Sequence, residues 1–515
     1  MNNDSRFSNS VKNISFGLLA QLSQMILGFV SRTIFIKFLA VEYLGVNGLF
    51  TNILSLLSLA ELGIAGAISY SFYKPLAEKD EEKIASLINF SAKIYTSIAI
   101  IVAILGLLVV PFLDDIVKNP PQELANDLVI IYLLFLFNTV SAYFLQYKIS
   151  IFQADQRSFI VFQNNALFFF LQNVFQIVVL ILFKNFIFYL IIQTVFQLLG
   201  NLVLSLKVNK YYPFLKKYKA VKLDSESKKQ IYSNVKANSF IKIGGILVNS
   251  TDNLILNYFS GIAMVGLLSN YNLLIGLGSS LIVQVFSSLT ASVANINAIE
   301  SQDKKIETFN LINFMNFWIY GFFSVAILFL INDFILIWIG QNYVLPLSVV
   351  VLLVINFYMY GMQNAVWMFK FTLGIFKQGQ YIILFTALIN LVLSFIFGYY
   401  YGLVGILAAT AIARMVTNAW FDPYIVFKLG LNLNPLHYLI KYIKYLLILV
   451  LSIAVILVIM NYVTVNGLLL VVIKVIVVMI TPNIFIILFY RNNADFKNLM
   501  SMLNVLIKKF TKKTA

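Results

Sequence analysis

Between Lys93 and Asp114 the chain reads Ile94-Tyr-Thr-Ser-Ile-Ala-Ile-Ile-Val-Ala-Ile-Leu-Gly-Leu-Leu-Val-Val-Pro-Phe-Leu113, twenty residues without a charge. A soluble strand runs about five or six residues, and a soluble helix keeps one polar face. This run is apolar on every side. At about 1.5 Å per residue it is long enough to cross roughly 30 Å of hydrocarbon. With Ile88-Asn89-Phe90 ahead of it, it predicts a transmembrane helix over 88–113.

Working outward, runs of the same kind lie near 14–39, 46–72, 126–147, 161–183, 186–206, 237–258, 264–292, 309–331, 344–369, 380–398, 401–426, 442–462 and 467–490. The sequence therefore predicts an all-α polytopic membrane protein with about fourteen spans. Composition agrees. Only 11% of the 515 residues are charged, 60% are hydrophobic, and the mean hydropathy is +0.88. A soluble chain of this length would carry roughly 130 charges. A soluble enzyme and a disordered chain are thereby excluded. A β-barrel would show short alternating segments rather than continuous runs. There is no cysteine, which excludes a disulfide scaffold, a thiolate metal site and a cysteine nucleophile. The run 14–39 is too long for a signal-peptide core and no cleavage pattern follows it, so it is expected to stay in the mature chain.

The net charge of +16 would suggest nucleic acid in a soluble protein. Here the basic residues follow topology. The termini and even-numbered loops (1–12, 74–83, 148–157, 207–229, 304–305, 370–377, 428–444 and 491–515) hold 28 Lys and Arg, and the odd-numbered loops hold only Lys118 and Lys184. The positive-inside rule then predicts both termini on the cytoplasmic side, and no nucleic-acid partner. The longest connector, 207–236, mixes basic and aromatic residues and is expected to rest on anionic membrane lipid.

The chain repeats itself. Leu87-Ile88-Asn89-Phe90 recurs as Leu311-Ile312-Asn313-Phe314, and Ile151-Phe152-Gln153-Ala154-Asp155-Gln156 answers Ile375-Phe376-Lys377-Gln378-Gly379-Gln380, both at an offset of 224. Leu44-Gly45 fits Val265-Gly266 at 221. An offset of six spans predicts parallel repeats: an N-terminal lobe at 1–206, the cytoplasmic connector at 207–236, a C-terminal lobe at 237–426, and two appended spans with a basic tail at 427–515. Two such lobes are expected to enclose a central cavity.

Polar stripes mark where such a cavity would be wet. Gln21, Gln24, Gly28 and Arg32 share one face of the first span, and Ser58 and Glu61 one face of the second. Lys242, Gly245, Asn249 and Asp252 share a face of the seventh. Ser280, Gln284 and Ser287 line up on the eighth, with Asn270 and Asn272 near its outer end. A charge in hydrocarbon costs about 3 kcal/mol or more. Glu61 and Asp252 read either as proton or cation sites or as charges balancing Arg32 and Lys242. Arg414 reads either as a cavity cation or as a packing partner to a carbonyl. Lys37, Lys93, Lys236 and Lys474 are expected to snorkel. No phosphate loop, metal-ligand cluster or catalytic acidic pair is present, so no cofactor, metal site or enzymatic activity is expected.

Several stretches carry a family resemblance. They are Leu56-Leu57-Ser58-Leu59-Ala60-Glu61-Leu62-Gly63-Ile64, the continuation Ser69-Tyr70-Ser71-Phe72-Tyr73-Lys74-Pro75-Leu76-Ala77-Glu78-Lys79-Asp80, Ala154-Asp155-Gln156-Arg157, Asn249-Ser250-Thr251-Asp252-Asn253 and Ser269-Asn270-Tyr271. Over most of spans 1–12 the chain resembles the Wzx-like oligosaccharide flippases of the multidrug/oligosaccharidyl-lipid/polysaccharide (MOP) exporter superfamily. The resemblance implies two MATE-like six-helix lobes, a central cationic cavity and alternating access, coupled to an H+ or Na+ gradient. It implies, as substrate, an oligosaccharide repeat unit on undecaprenyl pyrophosphate, moved from the inner to the outer leaflet of the bacterial cytoplasmic membrane. Partners would be a polysaccharide polymerase and glycosyltransferases. The arginine-rich pattern of the superfamily's lipid II flippases is absent, which leaves the sugar open.

On that reading Arg32, Lys242 and Arg414 pair with the pyrophosphate, and Gln21, Gln24, Asn249, Asn270, Asn272 and Gln284 hydrogen-bond the sugar. Two other readings compete. A cation-coupled multidrug exporter would favour a more acidic cavity. A membrane polysaccharide polymerase or glycosyltransferase would need a catalytic loop or domain that the sequence lacks.

Overall fold

A computed structural model describes residues 3–61, 64–218, 221–375, 377–379 and 381–511; the side chains at 1–11, 236–249 and a few other positions lie outside the described residues. All regular structure among the described residues is helical. In chain order the helices are α1 (Asn3–Phe38), α2 (Val41–Leu57), α3 (Ile64–Glu78), α4 (Glu81–Val109), α5 (Leu113–Ile116), α6 (Gln122–Gln146), α7 (Ile149–Ala154), α8 (Ser158–Phe183), α9 (Phe186–Tyr211), α10 (Ser225–Ser260) and α11 (Ile262–Ile299). There follow α12 (Gln302–Ile339), α13 (Leu347–Thr372), α14 (Ile382–Val416), α15 (Asn418–Ile425), α16 (Leu436–Asn461), α17 (Leu468–Tyr490) and α18 (Ala494–Thr511).

The run that opened the sequence reading is α4. Asp80 caps it, accepting from Lys83 N at 2.9 Å, and Glu81 and Glu82 favour the positive end of its dipole. Tyr95, Ile98, Ala99 and Val102 are buried, yet Ile101, Ile104, Leu107 and Leu108 on the outer side are exposed and equally apolar. A helix apolar all round requires hydrocarbon as its solvent. Eleven helical stretches meet that standard of length and composition among the described residues. The chain is a multi-pass membrane protein.

Two departures from fourteen simple spans have local causes. The runs 380–398 and 401–426 fall in one helical stretch, Ile382–Gly430, which turns at Gly402 with φ of 55°, a conformation glycine adopts without strain. The run 46–72 is broken into α2 and α3 by a 3-10 turn at Ser58–Glu61. There Ser55 and Ser58 bond back to the carbonyls of Thr51 and Leu54, at 2.8 and 2.7 Å, which bends helices. The run 237–258 falls on α10, where most side chains lie outside the described residues.

The chain forms two compact units, Met1–Ser269 and Asn270–Ala515. In the first, α8 packs between α1 and α9, α6 joins α4 to α9, and α10 lies on α2 and α3. This unit therefore reaches past the connector 207–236, at which the sequence repeat divides. Its tightest approach joins α2 to the start of α11. A β-carbon on Gly45 would lie 2.1 Å from the carbonyl oxygen of Ile262, and one on Gly266 would lie 2.2 Å from that of Val41. Only glycine fits at either point.

In the second unit α12 is central and contacts α13, α16, α17 and α18. Phe317 and Tyr445 stack with ring centroids 4.0 Å apart. Trp318 Nε1 donates to Asn483 Oδ1 at 2.7 Å, and Lys474 pairs with Asp333 at 2.7 Å. These contacts hold the appended helices α16 and α17 to α12.

Candidate functional site

Arg32 lies six residues before the end of α1, on the face shared with Gln21, Gln24 and Gly28. The two glutamines are half-buried, and a side chain at Gly28 would enter open space. The guanidinium is part-buried. Its Nη2 donates to Ser269 Oγ at 2.8 Å, and Ser269 Oγ in turn donates to the Gly266 carbonyl at 2.7 Å. Tyr189, packed edge-on against Phe35 with centroids 5.3 Å apart, is its other electrostatic neighbour. Among the described residues no carboxylate pairs with Arg32, and its buried Nε has no hydrogen-bond partner.

Glu61 is placed by the break after α2. It lines a cavity of about 430 Å³ inside the first unit. From α2 and its 3-10 turn come Asn47, Thr51, Ser55 and Ser58, from α6 Asn138, Thr139 and Tyr143, and from α9 Gln193. Tyr143, Ser58 and Glu61 face this one cavity. One carboxylate among hydroxyl and amide oxygens can carry a proton or hold a small hard cation. The α6 and α9 walls of this cavity have no counterpart in the sequence reading. Asn138 and Thr139 sit in an apolar run without a clear stripe, and only the fold sets them opposite Glu61.

The remaining expected residues are dispersed. Asn270 is fully buried, whereas Asn272 and Gln284 are exposed. Asp252 is half-buried on α10, while the side chains of Lys242, Gly245 and Asn249 lie outside the described residues. Arg414 donates from Nη1 to the Asn356 carbonyl at 3.4 Å and lies over the Tyr360 ring, 5.4 Å from its centroid. The carbonyl contact is one of the two roles the sequence allows it. Two further charged clusters join residues that the sequence leaves unpaired. Lys370, counted with a loop, is buried and bonds Asp422 at 2.5 Å, with Trp367 Nε1 donating to the other carboxylate oxygen at 3.0 Å. In the Asp155-Gln156-Arg157 turn, Asp155 accepts from Tyr212 at 2.6 Å and pairs with Arg157 at 2.9 Å. Burial and that carboxylate together push the Tyr212 phenol far above its ordinary range.

No family model and no curated protein match this sequence. Solved structures do. The chain is similar to the lipid II flippase MurJ in an inward closed conformation, with 16% identity, a TM-score of 0.65, and coverage of 93% of this chain and 99% of that one. It is similar to an inward-facing multidrug resistance MATE family transporter of the MOP superfamily, with 16% identity, a TM-score of 0.57, and coverage of 77% and 94%. A MOP superfamily transporter from Pyrococcus furiosus, whose binding pocket has reverse polarity, is 14% identical with a TM-score of 0.52 over 79% and 91%. At such identities the likeness establishes the fold, a MATE- and MurJ-like transporter fold.

Proposed function

We propose that this chain is a flippase that carries an oligosaccharide repeat unit on undecaprenyl pyrophosphate from the inner to the outer leaflet of a bacterial cytoplasmic membrane, for cell-surface polysaccharide assembly. The observation that carries the reading is Arg32, a guanidinium on a membrane-crossing helix whose hydrogen-bond partner is a neutral hydroxyl. A cation left without an anion in such a place is costly. A pyrophosphate oxygen would remove that cost through a charge-assisted, forked hydrogen bond. Gln21 and Gln24, on the same face, are suited to sugar hydroxyls, and the polyprenyl tail stays in lipid. The match to the lipid II flippase also covers more of this chain than the MATE match does, 93% against 77%. Glu61, in its polar cavity, is the group we assign to coupling with an H+ or Na+ gradient, driving alternating access. Polymerase and glycosyltransferases are the partners this activity calls for.

A cation-coupled multidrug exporter is the second reading, favoured by the carboxylate in the Glu61 cavity. One experiment separates the two. Deleting the gene should make lipid-linked sugar accumulate on the inner leaflet, whereas loss of an exporter would raise sensitivity to cationic drugs and leave that pool unchanged. Orientation has its own test, free of background because the chain has no cysteine. With the termini cytoplasmic, Ser225→Cys should be closed to impermeant thiol reagents in intact cells and Gln122→Cys open; labelling of the first alone would reverse the topology.

A further inference from the structure

Lys93 has no role in the sequence reading beyond snorkelling. It lines a cavity of about 500 Å³ in the first unit, together with Lys222 from the connector and Lys228 from the first turn of α10. Three segments of chain thus bring three ammonium groups to one space, and among the described residues no carboxylate lines it. Asp224 lies between two of these lysines in sequence but is engaged elsewhere. It accepts from Lys83 and caps α10 through Ser227 N at 2.8 Å. The Lys83 ammonium and that amide hold its carboxyl well below the usual carboxylate range. Among the described residues, Lys93, Lys222 and Lys228 make no ion pair of their own.

The rest of the wall is apolar, with Ile94, Ile98 and Tyr232 prominent. Its apolar side continues along α4. Ile101, Ile104 and Leu108 follow Ile94 on one helical face and are all exposed. From Ser97 to Leu108 this track is about 16 Å long at 1.5 Å per residue. A cationic pocket opening onto an exposed apolar track in a membrane helix matches an anionic amphiphile rather than a free anion.

We propose that this cavity binds a phosphate-bearing lipid, with the headgroup held by Lys93, Lys222 and Lys228 and an acyl or prenyl chain lying along α4. Such a lipid would tie the connector and the start of α10 to α4, so the phosphate content of the leaflet would bear on how freely α10 moves. The site is separate from Arg32, and its test does not depend on transport.

The test is lipid binding to the purified full-length protein, read by native mass spectrometry after titration with phosphatidylglycerol, phosphatidylcholine, a polyprenyl pyrophosphate or inorganic pyrophosphate. Lys93→Gln/Lys222→Gln/Lys228→Gln should bind phosphatidylglycerol about a hundredfold more weakly than wild type, as expected for three surface lysines on an anionic headgroup. A charge-matched control, Lys74→Gln/Lys304→Gln/Lys497→Gln, should bind as wild type does. Lys222→Glu alone, on an exposed stretch of connector, should also weaken binding and guards against misfolding of the triple variant. Tighter binding of the polyprenyl pyrophosphate would identify cargo waiting at the site, and tighter binding of phosphatidylglycerol would identify bulk lipid. Equal affinity for phosphatidylcholine, inorganic pyrophosphate binding as tightly as either lipid, or unchanged binding in both pocket variants would overturn the proposal.

Discussion

Gly45 and Gly266 make the same contact in exchange. Gly45 on α2 abuts the backbone of Ile262, and Gly266 on α11 abuts that of Val41. Gly45 and Gly266 are 221 positions apart, and so are Val41 and Ile262. The two contacts are thus reciprocal at one offset, with each helix's first turn sitting on the glycine of the other. Backbone cannot yield as a side chain can. Gly45→Ala and Gly266→Ala should each cost about 3 kcal/mol, the upper end for overpacking. Gly48→Ala should be nearly neutral, because the nearest atom to its added carbon would be a Val265 methyl at 3.7 Å. Thermal melting of the three variants tests this, and equal melting of Gly45→Ala and Gly48→Ala would contradict it.

Arg32 bonds Ser269, a residue of the Ser269-Asn270-Tyr271 stretch that carried part of the family resemblance. If Arg32 holds pyrophosphate, Arg32→Ala should lose nearly all export of lipid-linked sugar at equal membrane abundance. Arg32→Lys should keep a part, since a point charge replaces a fork. Ser269→Ala removes the hydroxyl that accepts from the guanidinium, a hydrogen bond to a charged group, and should cost export about tenfold, on the order of 1.5 kcal/mol. Wild-type export by Arg32→Ala would move the phosphate contact elsewhere.

The sequence makes the spans legible because hydrocarbon imposes its demand locally, about twenty apolar residues at a time. It exposes the polar faces of Gln21 to Arg32 and of Ser58 to Glu61 for the same reason, since helical spacing is local. The break at Ser58–Glu61 is hidden, because Leu56 to Ile64 stays apolar on average despite Ser58 and Glu61 and the serine back-bonds that bend it leave no hydropathy signal. Partnerships across the chain are hidden too. Lys370 reads as a loop charge until Asp422, 52 positions on, is seen beside it. Asn138 and Gln193 become walls of the Glu61 cavity only through the packing of α6 and α9.

The Glu61 cavity supports a test of coupling. Glu61→Gln keeps shape and hydrogen bonding and removes the titratable charge. Gradient-driven transport should be abolished, while binding of the lipid-linked substrate to purified protein stays within about twofold of wild type, since the lost group acts on the cation. Full gradient dependence in Glu61→Gln would leave Glu61 as a structural charge.

Lys474 and Asp333 give the last prediction. Lys474 lies seven residues into α17 and Asp333 near the end of α12, and their side chains are each only 22% exposed. Within hydrocarbon each charge is tolerable because the other is 2.7 Å away. Removing one leaves its partner uncompensated, at a cost of about 3 kcal/mol. Lys474→Leu and Asp333→Leu should therefore each lower the melting temperature and loosen α17 from α12, despite the Trp318–Asn483 bond and the Phe317–Tyr445 stack that also fasten the appended helices. Because the penalty belongs to the orphaned charge and not to the missing pair, Lys474→Leu/Asp333→Leu should recover most of the loss. The measurement is a double-mutant cycle on melting temperature in one detergent. Additive destabilisation by the two leucines would mean that the ion pair is solvated and contributes nothing to holding α17 in place.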